Sequence, residues 1–595
     1  MAESRGARVR APELSGRGGW INTGGRPLSL TELRGSFLLL DFFSYCCVNC
    51  LHVVDELRPL EAQFADVLTV VGVHSPKFVH EADHEGVVAA VRRYEIHHPV
   101  LDDPDLLMWK QYAVKAWPTL VLVDPEGYVV HVSSGEGHVE GIGRLLSELV
   151  AEHEQKGTLR RADSPYVPLP EPTSPLLFPA KALRLPDGGL LVSDSAHHSL
   201  VVLDDDGEVV RRIGTGTRGR QDGTRPSFAE PQGLALLDSG HVLVADTANH
   251  LLRALDLATG AVETVAGTGQ VWRPGDPTSG PALGTNLSTP WDVAVWDGQV
   301  VVAMAGTHQL WAFDGDTVSV LAGTTGEGLR DGDALLAYLA QPSGLAAGTD
   351  RLWFADSETS ALRWYRDGEV GTAVGTGLFD FGHRDGHAAE ALLQHPLGVT
   401  ALPDGSVAVS DTYNGAVRRY DPATETLSTL MTGLAEPSDA VVDGEHLLVV
   451  ESAAHRVTRL RLPDEALVVD GVAQRTQRPV TELAPGPVAL EVVFTPPPGQ
   501  KLDESFGPST RLTVTASPPE LLGEGAGTTT ELTRSLVLTG TEGVLHVAAF
   551  AASCDVDAEH AACHVTQQDW GIPVRLVTGS PASLALVLNG LSTGR

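Results

Sequence analysis

Cys47 and Cys50, in the run Cys47-Val48-Asn49-Cys50, are the residues whose type and spacing most directly imply chemistry. They follow the apolar run Leu38-Leu39-Leu40-Asp41-Phe42-Phe43 and open an amphipathic segment, so they are expected at a strand-to-helix junction. Unpaired N–H groups and the partial positive charge at a helix start stabilise a thiolate on the first cysteine. A thiolate attacks disulfides, and a second thiol one turn on resolves the mixed disulfide that results. The same cluster also fits a buried structural cysteine group or half of a zinc site. Zinc needs a second pair or histidines, and the other cysteines, Cys554 and Cys563, stand far along the chain. Cys46 adds a third thiol, either a competitor for Cys50 or an inert small hydrophobe.

The segment from Leu40 to Cys50 resembles the active-site segment of the thioredoxin superfamily. The run Val114-Lys115-Ala116-Trp117-Pro118-Thr119-Leu120 resembles that superfamily's cis-proline segment. The resemblance implies that Cys47 attacks, that Cys50 resolves, and that Asp41, six residues before Cys47, is a buried acid relaying the proton of Cys50. It also implies that Pro118 lies against the dithiol and shapes a groove for a substrate strand. Cys46 stands where the superfamily usually has Trp, and Asn49 where it often has Pro. From the residues themselves, one carboxylate inside an apolar strand is expected to be buried, with desolvation favouring its protonated form.

These groups must be positioned by a chain of 595 residues, which is too long for one core and implies several domains. Hydrophobic residues make up 42% and aromatics 6%, an ordinary globular balance, and no apolar run is long enough to span a membrane. No apolar stretch follows the basic start, so no secretory signal is expected. Five cysteines, three of them clustered, do not make a disulfide scaffold, which leads to the expectation of a cytoplasmic protein. A formal net charge of −34 opposes binding to a phosphate backbone. No nucleic acid, membrane, metal or organic cofactor is expected.

Residues 176–463 repeat one pattern, beginning at Pro179, Pro231, Pro290, Pro342, Pro396 and Pro437. Each unit has room for four short strands, one propeller blade. Val242-Leu243-Val244-Ala245-Asp246-Thr247-Ala248-Asn249-His250 shows the pattern most fully. The repeat resembles the NHL family of β-propellers, which implies a closed ring of six four-stranded blades. The recurring aspartates Asp194, Asp246, Asp356 and Asp411 are read as turn formers that accept backbone N–H groups. Arg253, Arg363, Arg418 with Arg419, and Arg459 share one phase, either as an arginine ring or as partners of aspartates between blades. His197, His198, His250, His308 and His455 follow the turns and are expected to pack at or line blade edges rather than bind a metal.

A Pro-rich connector spans 156–175, with Gly157–Arg161 a possible closing strand for the ring. Beyond 464, period-2 runs with Pro/Gly turns predict a small antiparallel sandwich, with Cys554 and Cys563 in its longest turn, paired or unpaired. The expected fold is therefore an α/β thioredoxin-like domain (1–155), an all-β six-bladed propeller (176–463) and a small all-β sandwich-like domain (464–595). In this order, with Cys46, Cys47, Asn49 and Cys50 in place, the chain resembles the thioredoxin-like, NHL-repeat-containing family. Two functions follow. One is a thiol–disulfide oxidoreductase that engages a protein substrate through the propeller and the groove near Pro118, with Cys46, Cys554 and Cys563 as possible accessory redox residues. The other is a non-catalytic scaffold or redox-sensing interaction protein.

Overall fold

The computed structural model describes residues 9–170, 172–462, 473–475, 478–496, 500–502, 508–555 and 563–590. They form two compact units, one of 1–171 with 477–595 and the other of 172–476.

The first unit is built on a sheet in which strands 19–21, 100–102, 68–74, 37–43, 119–123 and 128–134 are neighbours in that order. Phe37–Phe43 is buried at every residue, because it pairs in parallel with Leu68–His74 and antiparallel with Thr119–Val123. A strand covered on both faces reads as a continuous apolar run rather than an alternation, which explains its sequence. Helices Val48–Gln63 and Val139–Lys156 cover one face, placing Val53, Leu57, Ile142 and Leu146 on Phe37, Leu39, Leu120 and Leu122.

The segment after residue 477 is not the separate antiparallel sandwich expected. Strand Ser583–Gly590 pairs with Tyr128–Ser134 of the thioredoxin-like sheet, and Gly486–Phe494 then pairs with it in parallel. A second sheet, led by the long hairpin Glu542–Asp555 and Cys563–Leu576, closes the core over Leu490, Val514, Leu545 and Trp570. Period-2 alternation marks these strands but carries no record of which edge they join. The pairing also covers part of an edge that would otherwise present open N–H and C=O groups.

The second unit is a ring of six β-blades with innermost strands starting at Pro179, Pro231, Pro290, Pro342, Gly398 and Pro437. Blades three to five each gain a short fifth strand from the loop that enters them, and the sixth shows three strands among the described residues. The ring closes by side chains: Ser438 Oγ donates to Ala180 O at 2.7 Å, and Phe178 N to His455 Nδ1 at 3.0 Å. Arg160 N donates instead to Gly35 O, so 157–161 belongs to the first unit. The boundary expected at 463 moves to 476, because Ala473–Arg475 pairs with Asp380–Gly382 of the array.

The repeated residues staple one blade to the next. His198, His250, His308 and His455 sit in the left-handed conformation after the turn. Each accepts, at Nδ1, an N–H from the loop entering the next blade: Glu230, Thr289, Gln341 and Phe178. Arg253, Arg363 and Arg418 are fully buried. Each binds the repeat aspartate of its own blade (Asp246, Asp356, Asp411) and a second aspartate on the loop entering that blade (Asp222, Asp331, Asp385). They are therefore not a ring but three separate buried clamps. On the inner strands, Lys181 Nζ donates to Leu397 O at 2.7 Å and lies 3.2 Å from Asp292 Oδ2 and 4.0 Å from Asp439 Oδ1. Burial pushes the Asp439 carboxyl up to about 6 against the pull of Lys181.

Candidate active site

Cys47 is the N-cap residue of helix Val48–Gln63, and its carbonyl accepts from Cys50 N and Leu51 N at 3.0 and 3.1 Å. The turn that starts the helix therefore holds the two cysteines together. Cys46, Cys47 and Cys50 are buried thiols outside any disulfide. Burial, followed by contact with the Cys47 side chain, pushes the Cys50 thiol well up, with Lys77 pulling the other way. Cys50 thus keeps its proton, and Cys47 stands at the positive end of the helix.

Asp41 lies in the central strand and is fully buried. Side chains alternate along a strand, so Asp41 shares the face of Phe37 and Leu39, which is the face covered by the dithiol helix. Neither carboxylate oxygen has a hydrogen-bond partner. Desolvation first, and the Glu61 charge second, push the carboxyl up to about 8. Such a group holds or releases a proton close to neutrality.

The Trp117–Pro118 bond is cis. Pro118 O accepts from Gly135 N at 2.9 Å, and Trp117 Nε1 donates to Ser75 O at 2.8 Å. The C-terminal segment helps to build this wall. Lys115 Nζ reaches Thr481 Oγ1 at 3.3 Å, Ala116 joins the sandwich core, and the Arg478 guanidinium lies 5.3 Å from the Trp117 ring centre. Gly135 has φ +90°, a left-handed conformation that favours glycine.

Several residues of the site escape motif reading. Glu81 is fully buried and accepts from Ser44 Oγ (2.7 Å), Cys46 N (3.2 Å), Lys77 N (2.9 Å) and Phe78 N (3.1 Å). It ties the loop after strand 68–74 to the three residues before Cys47. Cys46 Sγ is 3.1 Å from Ser44 Oγ, at the edge of this network, while Cys47 is the thiol in contact with Cys50. No local signal identifies Glu81, but Glu61 had one. It continues the helix stripe Cys50, Val53 and Leu57, where a carboxylate is out of place.

Cys554 is disulfide-bonded, and its register partner across the long hairpin is Cys563. The turn between them, 556–562, lies outside the described residues.

Residues 35–129 match the thioredoxin-like family model, and residues 228–255 and 287–313 match NHL repeats. The chain is 38% identical over 485 residues to Protein SUPPRESSOR OF QUENCHING 1, chloroplastic, of Arabidopsis thaliana, covering 75% of this chain and 44% of that one. It is 34% identical over 560 residues to human NHL repeat-containing protein 2, covering 84% of this chain and 75% of that one. Over 148 residues it is 23% identical to the thiol-disulfide oxidoreductase YkuV of Bacillus subtilis, covering 25% of this chain and 98% of that one. The chain thus spans less than half the length of the plant relative. The expectation of a cytoplasmic protein is overturned by that relative, whose name places it in the chloroplast. Sparse cysteines are compatible with any compartment that keeps thiols reduced and do not single out the cytosol. Among the described residues, no helix is long and apolar enough to cross a membrane.

Proposed function

Because this chain belongs to the family of NHL repeat-containing protein 2, we propose that it works as a thiol–disulfide oxidoreductase on protein substrates. The observation that carries this reading is the helix-capping Cys47 in contact with a proton-holding Cys50, on the sheet face that carries the buried Asp41.

In the reducing direction the Cys47 thiolate attacks one sulfur of a substrate disulfide. A Cys47–substrate disulfide forms and the first substrate thiolate leaves. Cys50 gives its proton to the Asp41 carboxylate and attacks Cys47 Sγ, forming the Cys47–Cys50 disulfide and releasing the second thiolate. Two electrons pass to the substrate, and an external dithiol restores the enzyme. The reverse sequence oxidises a substrate dithiol. The groove beside Pro118 receives the substrate strand. The propeller serves as a protein-binding platform through its faces and blade edges, since its inner strands are tied together by Lys181, Asp292 and Asp439.

Trapping tests the reading. Cys50→Ser will hold protein substrates as mixed disulfides on Cys47 that a reductant releases, and Cys47→Ser in the same background will hold none. The measurement is non-reducing electrophoresis with mass identification of the linked cysteine. Absence of any adduct, or adducts that persist without Cys47, would sink the proposal.

A further inference from the structure

A buried acid that takes and gives a proton in each turnover must exchange it with water, and neither carboxylate oxygen of Asp41 makes a hydrogen bond. Its neighbour on the adjoining strand is Gly72, on the same sheet face as Val70. The absent side chain of Gly72 leaves a gap into which an imidazole reaches. A Cβ at this position would lie 3.3 Å from His98 Nε2, 3.0 Å from Phe43 Cε1 and 3.3 Å from Val100 Cγ2. The ring of His98 therefore lies over Gly72, beside the strand position that holds Asp41.

His98 is 2% exposed, and neither ring nitrogen makes an aligned hydrogen bond. Its Nδ1 does stand 3.2 Å from Glu61 Oε1, a close charge contact without hydrogen-bond alignment. The backbone of this segment is fixed, because Asn22 Nδ2 donates to Ile96 O at 2.7 Å and to His98 O at 2.9 Å. Glu61 and His98 both line a cleft of about 260 Å³ that also takes in Arg58, His97, Ser164 and Tyr166. The Glu61 side chain is 26% exposed there. The two nitrogens of one imidazole point to opposite sides of the ring. One faces the gap at Gly72, and the other faces Glu61 and the cleft.

We propose that His98 and Glu61 form the route by which Asp41 exchanges protons with solvent, through the cleft on the helix-covered face of the sheet. The proposal rests on the oxidoreductase reading above. When Cys50 resolves the mixed disulfide, its proton passes to the Asp41 carboxylate. The Asp41 acid then gives it to the His98 imidazole at Nε2, and the proton on Nδ1 passes to Glu61 and cleft water. In the opposite direction the same transfers run backwards, so charge and protons balance over each cycle. His98 acts through Asp41 and touches no reacting sulfur. The charged and titratable groups along this route are Glu61 and Cys50 on the dithiol helix, and His98 with His97 and Arg58 at the cleft. The flanking strands offer only Gly72 and Leu120 in register.

The test uses the full chain and a single turnover with 5,5′-dithiobis(2-nitrobenzoate). Attack by Cys47 releases a first coloured thiolate, and attack by Cys50 releases a second. His98→Gln will leave the first phase unchanged and slow the second on the order of tenfold or more, within the usual range for loss of a proton-transfer group. The solvent hydrogen-isotope effect on the second phase will increase. In His98→Ala, imidazole added to the buffer will enter the cleft and restore the second phase, which it will not accelerate in the unsubstituted protein. Glu61→Gln, on a partly exposed side chain, serves as an independent variant and will move the pH midpoint of the second phase downward. A second phase in His98→Gln equal to that of the unsubstituted protein from pH 6 to 8, with Asp41→Asn still slow, overturns the route and leaves the oxidoreductase reading standing. Loss of imidazole rescue together with an unmoved midpoint in Glu61→Gln overturns it equally. If the unsubstituted protein shows no second phase, the oxidoreductase reading fails as well.

Discussion

Asp41→Asn is expected to stabilise the thioredoxin-like unit by an amount that grows with pH, and to slow disulfide resolution. The carboxyl is pushed from an ordinary 3.8 to about 8 in the fold. An acid whose folded pKa is raised favours folding fully only below its unfolded value, and that contribution is lost as pH rises through the folded value. Between about pH 4 and pH 8 the native protein loses about 1.4 kcal/mol per pH unit from this one group. At pH 7 the loss amounts to roughly 4 kcal/mol. Asparagine has the same shape and no proton to lose, so the variant lacks this slope. Thermal unfolding of both proteins at pH 5 and pH 8 measures it, and the gap between their midpoints should widen at pH 8. Resolution should move the other way. Without a carboxylate to receive the Cys50 proton, the second step is expected to slow on the order of 10²-fold, while attack by Cys47 keeps its rate. Midpoints that stay parallel across pH would show that Asp41 is ionised in the fold, and an unchanged second step would remove it from the mechanism.

In the propeller the largest effect is expected from Asp356→Ala. Arg363 is fully buried between Asp356 Oδ2 and Asp331 Oδ1, each at 2.8 Å, and also donates to Tyr338 O and Arg330 O. Removing Asp356 leaves the guanidinium half-neutralised in a dry site and strips Ala340 N of its acceptor. Breaking a buried pair in this way costs about 3–5 kcal/mol. The chain itself contains the alternative. In blade three the same two positions hold Met304 and Trp311, both buried, with Trp311 Nε1 donating to Gln309 Oε1 at 3.0 Å. An apolar pair of suitable volume can replace a buried ion pair at little net cost. The double variant Asp356→Met with Arg363→Trp should therefore be more stable than Asp356→Ala alone, despite having one more substitution. Calorimetric unfolding of the three proteins decides it. If the double variant unfolds below the single one, the clamp contributes more than its volume and neutralisation.

Much of this was legible in the sequence wherever a local rule applies. Six prolines in phase, each opening a β-rich run, count the blades, and an apolar strand running into a cysteine pair places the dithiol at a helix start. Less legible was whatever depends on long-range pairing. Arg253 and Arg363 looked like a ring or cross-blade partners because repeat phase reports the position of a residue, not which aspartate it meets. Asp222 and Asp331 lie on entering loops outside the repeated pattern. Glu81 reaches Ser44 across a loop, and His98 becomes relevant only because Gly72 lies on the neighbouring strand. The sandwich strands showed their alternation plainly, yet nothing in them indicated that Ser583–Gly590 would extend a sheet begun near the other end of the chain.

That last pairing has a consequence for synthesis. Tyr128–Ser134 is complete early in translation, but its partner strand is made more than four hundred residues later. At about 5–20 residues per second the delay is on the order of a minute. Throughout that interval part of the sheet edge beside the Pro118 wall is open, in the form that invites pairing with a foreign strand. The intervening ring of blades has time to fold on its own, while the nascent thioredoxin-like sheet waits. A chaperone that guards exposed strand edges would have its longest task at this seam, and the wall beside Pro118 would reach its final shape only when the two distant segments meet.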